Sequence, residues 1–186
     1  MALLSTVLLF VACRTAYFEY PPPHFLESYD CSGRQNDVLP VTSLTISPVE
    51  RDDITVHVEV ADESSEKEQG LMCRTLIPAN TGMLFTYESD QSYGFWMYNT
   101  YVPLDILYLD QHGKIVDKIH MSPCIRDVDN AEADEIWRNR CAVEAAEYVP
   151  DGAWRNTLEL PAGWLKKNGL ATTIFESTVS WSLPKN

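Results

Sequence analysis

The sequence predicts an α+β fold: a single strand-rich domain with a mostly antiparallel sheet, open or barrel-like, and a few short helices. Three observations predict it. Ile54, Val56, Val58 and Val60 alternate with Thr55, His57 and Glu59, the period of a strand with one buried face. Leu104 to Leu109, the turn Asp110-Gln111-His112-Gly113 and Lys114 to Ile119 spell a β-hairpin. The helix-like stretches are short and separated by strands, and 186 residues suit one core better than two.

Taken in order, Met1 to Ala12 is almost wholly apolar, long enough for a signal-peptide h-region and too short to span a bilayer. Cys13 follows Val-Ala as a lipoprotein acceptor cysteine does, so cleavage and lipidation are both open. Residues 1–13 are therefore read as a signal or lipoprotein leader, with membrane contact only through it. Residues 14–48 are read as a linker or tether, because Pro21-Pro22-Pro23 and the turn residues Ser32-Gly33 and Asn36-Asp37 forbid helix and show little periodicity. Residues 49–186 are read as the globular domain.

Within it, Asp62 is placed to cap a short helix reaching about Met72, with Glu63 and Glu66 suiting the helix dipole. Ile77 to Gly82 carries turn chemistry and Met83-Leu84-Phe85 is strand-like. A turn is expected at Glu88 to Ser92, followed by an aromatic strand through Phe95-Trp96-Met97-Tyr98. Beyond the hairpin, a helix is expected over 131–146, a strand over 156–160 and a short helix after Pro161. Asn168-Gly169 ends that helix, and a last strand is expected over 172–181.

Charge narrows the functional classes. Twenty-seven acidic against fourteen basic residues give a net charge of −13 and a pI near 4.6, a balance that repels a phosphate backbone or an anionic membrane face. Nucleic acid is therefore not expected as a partner. The sequence carries no Gly-x-Ser-x-Gly elbow, phosphate-cradling loop or dinucleotide fingerprint, and no cofactor is expected. His120 and Cys124, with Asp127 and Asp129, could be drawn as a zinc site, but paired Cys-x-x-Cys and His-Glu-x-x-His spacings are missing, and no metal is expected.

Cys124 and Cys141 enclose about sixteen residues, and closing such a loop in an oxidising compartment stabilises by about 3 kcal/mol. They are read as a disulfide. Cys73 lies in an apolar run and is read as a buried free thiol rather than a partner of Cys31.

Gly70-Leu71-Met72-Cys73-Arg74, Gly82-Met83-Leu84-Phe85, Phe95 to Thr100, Pro103-Leu104-Asp105-Ile106 and Leu158 to Gly163 resemble, in this order, the motifs of the domain-of-unknown-function family 192. The resemblance covers about Val56 to Ser180. It implies a small, mostly β, often exported protein with no settled activity. The family commonly has Lys where this chain has Tyr98, and a Gly-Asp pair where it reads Gly169-Leu170-Ala171, so no role of that lysine or aspartate carries over.

The residues with chemistry to offer are Arg74, Trp96, Asn99, Thr100 and Asp105. Two readings compete. In one they line a small-molecule pocket, with Asn, Asp and Arg around a Trp face suiting a sugar or another polyhydroxylated ligand. In the other, which the sequence favours for these five, Arg74 pairs with Asp105 while Asn99 and Thr100 close the turn before Pro103. The expected function is an exported module, periplasmic, extracellular or lipid-anchored, that binds a small molecule or an envelope protein. The alternatives are a cofactor-free hydrolase or isomerase using Asp105 as acid–base with Asn99 as oxyanion donor, and a structural envelope accessory. Binding requires Trp96, Asn99 and Arg74 to line one concavity.

Overall fold

The computed structural model describes residues 28–32, 38–126 and 132–184. The leader at 1–13 with Cys13, most of the expected linker, and Asp127 and Asp129 lie outside the described residues.

Seven strands form one sheet: β1 (Val41–Ser47), β2 (Ile54–Ala61), β3 (Thr81–Gln91), β4 (Leu104–Leu109), β5 (Ile115–Met121), β6 (Trp154–Pro161) and β7 (Thr178–Trp181). They are ordered β5-β4-β6-β3-β2-β1-β7. The β2–β3 pair is parallel and the other pairs are antiparallel. A parallel pair needs a crossover, and here it carries α1 (Ser64–Gln69); α2 (Asp134–Glu144) and α3 (Trp164–Lys167) are the other α-helices among the described residues. The sheet curls into a half-barrel whose edges touch at one place, where Lys114 bridges Thr178 and Val179 N–H donates to Gly113 O at 2.9 Å. Only glycine fits at 113: its φ is +78° and a Cβ would lie 1.8 Å from the Val179 carbonyl oxygen.

Strand alternation divides the core in two. Leu44, Ile46, Val56, Val58, Leu84, Leu107 and Leu158 point into the barrel, where Trp164, Leu165 and Ile174 join them. Met83, Phe85, Ile106, Tyr108 and Trp154 face the other way, under the aromatic loop 94–103 and Trp137 of α2. At about 25 cal/mol per Å² of apolar surface removed from water, these two layers supply the folding drive.

The hairpin forms as expected, with Asp110 Oδ1 accepting the backbone N–H groups of His112 and Lys114 at 2.7 and 2.9 Å. Several expectations need correction. Val41–Ser47, placed in the linker by its sequence, forms β1, because Leu44 and Ile46 alternate with Ser and Thr and are fully buried. The strand after Thr81 continues to Gln91 rather than turning at Glu88. Phe95 to Tyr98 is loop, not strand. The last strand begins at Thr178, since Ile174–Glu176 is a 3-10 turn that drops Ile174 into the barrel. The α1 cap is Glu63 rather than Asp62, with the Glu66 carboxylate reaching back to the N–H groups of both residues.

The Cys124–Cys141 disulfide is present, with a Cα separation of 5.7 Å. Cys73 is not a free thiol: it is bonded to Cys31, Cα to Cα 5.3 Å. Two disulfides fit an oxidising compartment. Among the described residues no helix is long and apolar enough to cross a membrane.

Candidate functional site

After α1 the chain buries Leu71 and turns at Cys73, whose N–H donates to Asn99 O at 2.7 Å. Both residues have positive φ, +64° and +57°, a region that Asn tolerates better than most side chains. The Cys31–Cys73 bond then lays residues 28–32 against the aromatic loop. Tyr98 Oη donates to Asp30 Oδ2 at 3.1 Å, and the Ser28 N–H reaches Tyr101 Oη at 3.3 Å. Burial, followed by the Asp30 hydrogen bond and the charges of Asp134 and Asp30, pushes the Tyr98 phenol up and keeps it a donor, against a smaller opposing contribution from Asn99.

Helix α2 supplies the opposite wall. Trp137 Nε1 donates to Cys124 O at 2.9 Å, and Arg140 spans Ile125 O, Glu132 and Glu144, so the helix is anchored beside its disulfide. Its Arg138 guanidinium stands 5.7 Å from the Trp96 ring and 5.6 Å from the Tyr98 ring, and those two rings lie 5.1 Å apart. The result is a concavity of about 710 Å³ in which Asp30, Glu68, Trp96, Tyr98, Asn99 and Arg138 are prominent. Each disulfide ties down one of its walls.

Of the five residues singled out in the sequence, two meet here. Trp96 is half-buried and lines the concavity; Asn99 lines it as well, with 2% exposure. The Asn99 Oδ1 atom has no hydrogen-bond partner among the described residues. Thr100 is buried, its N–H donating to Met97 O at 3.2 Å as the turn closes. Arg74 does not pair with Asp105. It grips Glu59 through both nitrogens at 2.5 and 2.8 Å, because the end of α1 returns over β2. Burial raises the Glu59 carboxyl, but the Arg74 hydrogen bonds, the Leu39 N–H and the Arg74 charge outweigh it and hold it below the usual range.

Asp105 lies elsewhere. Its Oδ1 is 3.0 Å from His120 Nδ1 and its Oδ2 accepts the Gly163 N–H at 2.8 Å. It does not line the Trp96 concavity, so Asp105 and Asn99 do not form one acid–base and oxyanion site. The zinc sketch also loses Cys124 to its disulfide, and no cluster of metal-ligating residues occurs among the described residues. Sequence reasoning missed Asp30, Glu68, Tyr98 and Arg138. Arg138 was reachable through the expected helix, whereas Asp30, in the stretch read as linker, gave no signal.

The motifs that carried the resemblance turn out to be junctions. The 70–74 and 95–100 motifs meet through Cys73 and Asn99. The other three meet where Gly82 lies against the Glu159 carbonyl, leaving only 2.2 Å to a would-be Cβ, and where Ala162 N–H donates to Pro103 O and Gly163 to Asp105.

Among solved structures, a putative transcription regulator from Sinorhizobium meliloti 1021 is similar at 23% identity and a TM-score of 0.60, covering 79% of this chain and 98% of that one. A protein of unknown function from Novosphingobium aromaticivorans DSM 12444 is similar at 20% identity and a TM-score of 0.57, covering 83% and 98%. These likenesses establish a shared fold. No curated protein matches. The pattern of DUF192, described as an uncharacterized ACR family, matches residues 47–173, and the chain belongs to that family.

Proposed function

We propose that the protein is an exported binding module whose ligand is a small polyhydroxylated, sugar-like molecule seated in the Trp96 concavity. The observation that carries this reading is the Trp96–Tyr98 ring pair flanked by Arg138, opening beside Asp30, Glu68 and Asn99. An apolar sugar face packs on an aromatic ring, while carboxylate, amide and guanidinium groups are planar and meet vicinal hydroxyls two at a time. A few placed polar groups around an aromatic wall is the general make-up of a small-molecule site.

Export is supported by the two disulfides and by the apolar run before Cys13. The name of one structural neighbour raises nucleic acid as a partner, but a net charge of −13 opposes a phosphate backbone. Thermal-shift screening against neutral hexoses and short oligosaccharides tests the proposal. A stabilising sugar is expected. Silence across the panel would overturn it and favour an envelope accessory.

A further inference from the structure

A second concavity, of about 390 Å³, opens over Asp105 and His120 and is independent of the Trp96 site. Asp105 on β4 and His120 on β5 are direct register partners. Both Asp105 oxygens are engaged, one by the imidazole and one by the Gly163 N–H, and its side chain is 14% exposed against 58% for His120. The carboxylate therefore fixes the ring through Nδ1 and leaves Nε2, which has no partner among the described residues, free for a ligand. Lys118 stands two residues before His120 and so on the same face of β5; its ammonium donates to Ala171 O and lies near the Phe175 ring. Lys166 of α3 closes the cleft above Leu165, and its ammonium has no partner among the described residues.

Structural duty does not account for this set. The Asp105 to Gly163 bond, the Ala162 to Pro103 bond and the buried Trp164 and Leu165 already hold α3 in place, and neither an exposed imidazole nor an unpaired lysine adds to packing. The sign of the cleft is also opposite to that of the chain: two lysines and a histidine surround one engaged carboxylate in a protein of net charge −13. The lining residues include no hydroxyl or thiol, and the one carboxylate is already engaged through both oxygens by His120 and Gly163. We propose that it is a binding site for a small anion bearing a carboxylate or phosphate group, with Lys166 and Lys118 receiving the charge and His120 Nε2 making the orienting hydrogen bond.

The test titrates inorganic phosphate and, separately, acetate into the whole protein while following the imidazole resonances by NMR, with His120→Gln assigning its signal among the four histidines. A saturable shift of the His120 resonance is expected with one of the two, which also distinguishes phosphate from carboxylate chemistry. Lys166→Gln should weaken it about tenfold, the value of one charge-assisted hydrogen bond, with an unchanged melting midpoint. Lys67→Gln, remote from the cleft lining, should leave it unaltered. No saturable response to either anion overturns the proposal. So does a response that Lys166→Gln leaves intact, or that both lysine variants weaken equally, since that reports general charge. Lys118→Gln repeats the test from the other wall, and Trp96→Ala should not affect it.

Discussion

Replacing Glu159 by Gln should leave stability nearly unchanged near pH 4.5 and make the protein more stable than wild type at pH 8. Glu159 sits on β6 between its register partners Met83 and Ile106 and is 4% exposed. Burial alone pushes its carboxyl from 4.5 up to about 8, and its charge helps push the Tyr87 and Tyr108 phenols up, behind the larger effect of their own burial. The direction of the linkage follows. Above the unfolded value the native state holds a proton that the unfolded chain has released, so Glu159 contributes its full stability below about pH 4.5. That contribution is lost as pH rises towards 8. At about 1.4 kcal/mol per pH unit the loss is on the order of 4 kcal/mol. Gln keeps the shape of the neutral acid without titrating. Urea unfolding at half-unit intervals from about pH 4.5 to about pH 8.5 measures the difference between the two proteins, in which every other titrating group cancels. A difference growing in favour of the Glu159→Gln variant across that window is expected. A difference flat with pH would show that the carboxyl is solvated or paired in solution, and would refute the reasoning.

Two further outcomes follow from the disulfides and the Arg74 pair. The double variant Cys31→Ser/Cys73→Ser should lose about 4 kcal/mol by the chain-entropy model in chemical denaturation, and should lose sugar binding with it, because Asp30 is no longer held beside Tyr98. Glu59 titrates with the opposite sign to Glu159: its carboxyl is held below the usual range, so its contribution is present above the unfolded value near pH 4.5 and is lost as pH falls through the folded value. Arg74→Met should remove that acid-side loss, seen as a shallower decline of the unfolding midpoint between about pH 4.5 and about pH 2.5.

The fold was legible where structure is local. The β4–β5 hairpin, the strand at Ile54 and the short helices before Met72 and after Pro161 follow from period and turn chemistry. β1 was not, because two buried residues among Ser and Thr look like loop until β2 and β7 flank them. The Arg74 partner was missed for a related reason: Glu59 lies on the crossover strand, and a parallel crossover gives no short-range sign of where the returning chain lands. The Asp105–His120 pair turns on one register shift. Between Tyr108 and Leu109 the ladder slips by one residue on β5; without it Asp105 would face Ile119, on the other side of the strand. The Cys73 pairing required knowing that the stretch read as linker folds back, which nothing in its Pro-rich composition indicates. Trp96 and Asn99 stand out in the sequence because an aromatic beside an amide carries its chemistry in composition alone, whereas Asp30 and Arg138 join them in one concavity through tertiary contacts and the disulfides.

The most direct test of the binding account is isothermal calorimetry of the best sugar from the screen against wild type and Trp96→Ala, with the melting midpoints of both recorded. A true ligand at about a hundred times its dissociation constant should add about 2.7 kcal/mol of stability to the wild type. Trp96→Ala should remain folded through both disulfides and bind no sugar. Undiminished binding by that variant would contradict it and move the ligand out of the Trp96 concavity.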